Sequence, residues 1–186
     1  TEWSTPGKEK YIRKYENDGD MYYDTMDING DGLPDYVKYD KDNKKWYVWL
    51  NTKTGFSDNT QIWDTSSDVK YIQDVREQSG EATNTRSSMM DFNRDGYIDI
   101  IWADGEDDKQ FKYVLNGTDR FSGVKKLTMP TTAWIREVKK VDYDKKGNPK
   151  NAQNVKQAMF DINGDDLPDI VKRDGSSWKI YRNTGN

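Results

Sequence analysis

The chain contains neither cysteine nor histidine in 186 residues. Without cysteine there is no disulfide and no thiolate nucleophile, a composition compatible with either redox compartment. Without histidine, the commonest general base and the commonest zinc ligand are both missing. Long apolar runs are missing as well. The longest, Ile100-Ile101-Trp102-Ala103, falls far short of the roughly 20 residues that span a bilayer, so no membrane insertion is expected. There is no secretory h-region and the chain opens on Thr1, which reads as a mature or excised segment whose targeting signal has been removed. No segment sustains a 3.6-residue apolar period over about ten residues, so almost no helix is expected.

Hydrophobic and charged residues make up 33% each, yet aromatics reach 13%. Disordered chains are poor in aromatics, whereas short half-buried strands favour them. The net charge of −4 is unevenly distributed. Nine aspartates sit at positions 1, 5 and 9 of three short loops. Setting them aside leaves 24 acidic against 29 basic residues, a net +5. Acidity is therefore local. The scattered Lys and Arg form no basic stripe, so nucleic acid is not an expected partner.

Those loops are Asp27-Ile28-Asn29-Gly30-Asp31-Gly32-Leu33-Pro34-Asp35 and its two returns, Asp91–Asp99 and Asp161–Asp169. Each puts side-chain oxygens at positions 1, 3, 5 and 9. Ca²⁺ is a hard cation that takes six to eight oxygen ligands, and such a loop supplies them. The expected ligands are Asp27, Asn29, Asp31, the Leu33 carbonyl and Asp35 in the first loop. The second offers Asp91, Asn93, Asp95, the Tyr97 carbonyl and Asp99. The third offers Asp161, Asn163, Asp165, the Leu167 carbonyl and Asp169. Up to three Ca²⁺ are expected, one per loop. Position 6 demands φ > 0 and is Gly32 or Gly96, but Asp166 in the third loop, which is therefore expected to be the weakest or most strained site. Arg94 replaces the Gly seen at Gly30 and Gly164, adding positive charge beside the second site. An EF-hand needs Glu at position 12 and flanking helices. Here position 12 is Lys38, Trp102 or Lys172, and EF-hand and dockerin readings fail.

The self-similarity extends beyond the loops. Tyr11–Tyr15, Tyr71–Val75 and Trp134–Val138 read as first strands. Met21–Met26, Ser87–Met90 and Lys156–Phe160 lead into the loops. Asp35–Tyr39, Asp99–Ala103 and Asp169–Arg173 follow them, and Trp46–Leu50, Phe111–Leu115 and Trp178–Arg182 come last. The chain is thus read as one all-β module of three repeats, about 1–59, 60–123 and 124–186. Each repeat is four antiparallel strands with the calcium loop between the second and third, which is the pattern of propeller blades. Residues 142–154 form a polar insertion, the segment expected to be mobile. Thr1-Glu2-Trp3 resembles Gln61-Ile62-Trp63, so either the two ends are expected to meet within one molecule, or the chain is part of a longer array or associates with further copies of itself.

The pattern Met-Asp-Ile-Asn-Gly-Asp-Gly-Leu-Pro-Asp-Tyr-Val, followed by Trp-Tyr-Val-Trp-Leu-Asn, resembles the FG-GAP/VCBS repeat family, whose best-known members are the calcium-binding blades of integrin α-chains. Leu50-Asn51…Gly55-Phe56 and Trp63 look like the propeller region of bacterial toxin-complex, Rhs and Salmonella virulence-plasmid type proteins. The resemblance implies a calcium-binding β-propeller used in adhesion, toxin encapsulation or extracellular scaffolding.

Calcium loops fill where calcium is abundant, so an extracellular or cell-surface location is expected. Trp46, Phe111 and Trp178 share one repeat position, where packing is the expected role. Trp102 breaks the repeat and is read as packed, or else as an exposed contact. Asn116-Gly117-Thr118 fits a glycosylation acceptor but reads as a turn, because Asn51 and Asn183 share its position. No acid pair stands apart from the loops, so no enzyme is expected. The reading is a calcium-binding structural or binding scaffold with a protein partner or copies of itself. The alternative is a carbohydrate-binding lectin that holds a glycan on exposed aromatics.

Overall fold

The computed structural model describes residues 2–4, 6, 9–15, 20–63, 69, 72–78, 82–103, 109–117, 119–128, 134–139 and 154–185. These residues form an all-β structure of three antiparallel sheets in chain order. The first sheet runs β1 (Lys14–Tyr15), β2 (Met21–Met26), β3 (Asp35–Asp40), β4 (Lys45–Trp49), β5 (Gln61–Trp63). The second contains β6 (Asp74–Gln78), β7 (Ala82–Met90), β8 (Asp99–Ala103), β9 (Gln110–Val114) and β10 (Lys125–Thr128). The third contains β11 (Glu137–Lys139), β12 (Asn154–Phe160), β13 (Asp169–Asp174) and β14 (Ser177–Tyr181). No helix is assigned among the described residues beyond a single 3₁₀ position at Pro6.

The four-strand expectation needs correcting in two sheets. Gln61–Trp63 adds to β4 with Trp63 opposite Trp46, and Lys125–Thr128 adds to β9 with Leu127 opposite Phe111. Each therefore completes the sheet before it. The first strands are also displaced: Tyr11–Arg13 lie outside β1, and β11 starts at Glu137. The insertion at 142–154 lies outside the described residues, apart from Asn154, which opens β12.

Alternation across each pleat gives a sheet two faces. Val37, Tyr39, Trp46 and Val48 lie on one face of the first sheet and bury against Ile100 and Val114 of the second. Ile101, Ala103 and Phe111, on the opposite face of the second sheet, bury against Ile170 of the third, with Tyr181 packed beside them. The middle sheet thus has both faces covered, which explains why Ile100 and Ile101 are consecutive and both fully buried. On its other side, the first sheet carries Tyr36 and Trp49. Phe56 packs on Tyr36, Trp3 meets Phe56 edge-on, and the Tyr36 hydroxyl donates to the Tyr11 carbonyl at 2.8 Å.

The two junctions between sheets repeat the same polar contacts. At the first junction the Met21 amide donates to the Gln73 carbonyl (2.8 Å) and the Met21 carbonyl accepts from Ile72 (3.0 Å); at the second the Thr85 amide donates to Arg136 (2.9 Å) and the Thr85 carbonyl accepts from Ile135 (2.9 Å) and Arg136 (3.4 Å). Asn116 Nδ2 donates to the Ile28 carbonyl at 2.6 Å, and Asn183 Nδ2 to the Phe92 carbonyl at 2.9 Å. In both cases the asparagine after a sheet's fourth strand reaches back to position 2 of the preceding loop.

Candidate functional site

All three Asp-rich loops join the second and third strands of their own sheets, so the topology places them in equivalent positions. Within each loop the side chains at positions 1, 3 and 5 turn inward onto backbone amides. Asp27 accepts from the amides of Asp31 (3.0 Å) and Gly32 (2.7 Å), Asn29 Oδ1 from Asp31 (3.1 Å), and Asp31 Oδ1 from Leu33 (2.9 Å). The same scheme holds for Asp91, Asn93 and Asp95 and for Asp161, Asn163 and Asp165. In every loop the position-3 amide also donates to the position-5 carboxylate, at 2.8–3.1 Å. Wrapping the backbone this tightly requires left-handed residues. Position 6 is left-handed in all three loops, at Gly32, Gly96 and Asp166, and so is position 4, at Gly30, Arg94 and Gly164. The Asp166 strain read from the sequence is present at φ 63°; the second strained residue, Arg94 at φ 65°, is an addition.

Position 9 behaves differently. Asp35, Asp99 and Asp169 are fully buried. Asp35 accepts from the amides of Asn51 (2.8 Å) and Ile28 (3.3 Å), and Asp99 from those of Asn116 (2.7 Å) and Phe92 (2.9 Å). These carboxylates tie the loop to the end of the sheet's fourth strand. Asp169 accepts from Asn183 through one oxygen only; its Oδ2 is buried with no hydrogen-bond partner. Burial pushes Asp35 and Asp99 up to about 6 against the opposing amide bonds, and the neighbouring loop aspartates push the same way. At Asp161 desolvation acts upward, but four backbone amides outweigh it and hold the pKa below the ordinary carboxylate value.

The donor set fits a hard cation: carboxylates, a side-chain amide oxygen and a backbone carbonyl, with no nitrogen or sulfur. Among the described residues, however, no three acidic side chains are gathered closely enough to hold a metal ion. The loops bring positions 1, 3 and 5 into one hydrogen-bonded set and keep position 9 behind them, against the strands.

No protein-family model and no curated protein matches this chain. The loops themselves carry the functional argument.

Three features of the site go beyond the ligand pattern. The asparagines Asn51, Asn116 and Asn183, legible in the sequence as turn residues, donate their backbone amides to position 9. Asn116 is buried, with its side-chain nitrogen engaged at Ile28, which leaves no room for a glycan. Neighbouring loops also touch. A Cβ added to Gly30 would lie 3.0 Å from the Tyr97 ring and 3.2 Å from the Gly96 carbonyl. At the next junction Arg94 pairs with Asp166 at 3.3 Å. The two departures from the glycine pattern therefore meet each other.

Trp46 and Phe111 are fully buried at their shared repeat position, whereas Trp178 is 70% exposed. Trp102 packs against the apolar cluster between the first two sheets. Among the described residues no helix is long and apolar enough to cross a membrane.

Proposed function

We propose that this chain is a calcium-stabilised, β-propeller-type repeat module of the FG-GAP/VCBS kind, acting outside the cell as a structural or binding scaffold. The observation that carries the reading is the threefold recurrence of one loop at one place in the fold, with oxygen donors at positions 1, 3 and 5 drawn inward by left-handed turns. Asp27, Asn29, Asp31, the Leu33 carbonyl and Asp35, with their counterparts in the other two loops, would hold the ion.

The bound ion supplies charge neutralisation that holds the second and third strands together at their loop end. For a site of about 10–100 µM affinity at about 2 mM calcium, linkage stabilises by roughly 2–3 kcal/mol. Sub-micromolar calcium would leave such sites mostly empty, which favours an extracellular or surface location. Calorimetric titration with Ca²⁺ after chelation, together with thermal melts, tests the reading. Saturable binding of up to three ions with a rise in Tm supports it. Absence of both in the folded chain refutes it.

A further inference from the structure

The third sheet carries, on its outer side, one half of the junction already made twice inside the chain, and apart from Val171, which is buried, the contacts of that half are open. Trp178, Ile180 and Val171 occupy the repeat positions of Trp46, Val48 and Val37. Trp46, Val48 and Val37 are all fully buried, while Trp178 and Ile180 are 70% and 47% exposed. Phe160, the counterpart of Met26, is 45% exposed, whereas Met26 packs into the first junction. Val155 stands where Met21 and Thr85 form their backbone bridges to the next sheet; those two are buried, and Val155 is exposed. Ile162 at position 2 of the third loop is partly exposed where Ile28 and Phe92 are buried beneath the incoming asparagine. Gly164 has no heavy atom near its missing Cβ, whereas Gly30 is closed over by Tyr97. Finally, β14 lacks, among the described residues, the fifth strand that β5 and β10 give to β4 and β9.

We propose that this outer side is a docking surface for one further sheet of the same repeat. Scattered apolar exposure needs no explanation, but an apolar patch bordered by matched polar contacts marks an interaction site. The two internal junctions specify the occupant's chemistry. It brings an extended strand onto β14 with a large apolar residue opposite Trp178, as Trp63 stands opposite Trp46 and Leu127 opposite Phe111. It covers Trp178 and Ile180 with two apolar residues on adjacent strands, the positions of Ile100 with Val114 and of Ile170 with Tyr181. It directs an asparagine amide at the Ile162 carbonyl, and it lays the backbone before its first full strand against Val155. A second copy of this chain cannot supply that face unchanged, because Tyr36 and Trp49 of the first sheet are already buried, with Phe56 on Tyr36. The inference rests on the sheet junctions and is independent of calcium.

The test extends the full chain: residues 117–186 are repeated directly after Asn183, preserving the spacing that follows Asn116. Amide hydrogen exchange is read at Val155 and Ser177–Tyr181 of the original third sheet, with calcium present. The expected result is exchange slowed at least tenfold there, and reversed by Trp178→Asp in that sheet, while circular dichroism keeps its β-signal. A second extension, with residues 53–116 placed after Gly185, guards against an appended unit that fails to fold. Unchanged exchange in both extensions overturns the proposal. So does protection in the unextended chain that grows with its own concentration, since a second copy would then be the occupant.

Discussion

Replacing Asn116 with alanine tests whether the sheets are joined by specific polar contacts or only by apolar packing. Its side-chain nitrogen donates to the Ile28 carbonyl at 2.6 Å within a buried environment, across 88 residues of sequence. Alanine removes this donor and leaves a buried carbonyl without it, a loss of about 1–3 kcal/mol. For a chain of this size each kcal/mol moves Tm by roughly 2–4 °C, so a fall of about 2–12 °C is expected. The backbone amide of residue 116 still donates to Asp99, and the turn survives. Asn51 offers the internal control. Its side chain donates to Pro34 within its own sheet, so Asn51→Ala should cost less than half as much. Asn183→Ala, whose bond to Phe92 is only part-buried, should fall between. Asn116→Asp should be worse than alanine, because it presents a carboxylate oxygen to a carbonyl. Urea unfolding of the four variants gives the ranking at unchanged m-value. An Asn116→Ala loss below about 0.5 kcal/mol, or an Asn51→Ala loss equal to it, would refute the reasoning.

Chelation should lower Tm by more than about ten degrees, from roughly 2 kcal/mol at each of up to three sites. Asp95→Asn should remove part of that increment and lower the melt in chelator by a smaller amount, since only one of its two acceptor oxygens remains for Tyr97 and Asn93, which differential scanning calorimetry resolves. Trp46→Ala should cost about 3–5 kcal/mol, because it empties a fully buried site; Trp178→Ala should cost under about 1 kcal/mol in the same denaturant assay. Gly30→Ala should destabilise more than Gly32→Ala, although both residues are left-handed, because only Gly30 faces Tyr97 and the Gly96 carbonyl. Equal melting points for the two would count against contact between the loops.

Much of this arrangement was legible in the sequence. Asp99–Ala103 is legible to its bounds, because a loop aspartate fixes one end and β-branched residues fill the strand. Position 6 was legible because glycine advertises its backbone, and Asp166 stood out against that pattern. Position 4 carries the same glycine signal at Gly30 and Gly164, with Arg94 as the exception, but only the fold shows that Arg94 is left-handed at φ 65° and lies beside Asp166. The fifth strands carry no periodicity that marks them. Gln61-Ile62-Trp63 spans three residues, and Lys125–Thr128 holds a single apolar side chain. Their pairing is set by Trp46 and Phe111, which lie well away in sequence. Position 9 reads as one more ligand in the linear pattern. Only the fold reveals that Asp35 and Asp99 also bind the amides of Asn51 and Asn116, because those asparagines lie 16 and 17 residues downstream.

Ile100 and Ile101 lie side by side on β8 and point into two different interfaces. A single damaged residue in either flanking sheet weakens one seam, whereas a break in β8 loosens both at once. The central strand is therefore the keystone of the array. It should be the last segment to exchange its amides and the least forgiving of substitution, and the flanking sheets can fray without parting company only while it holds.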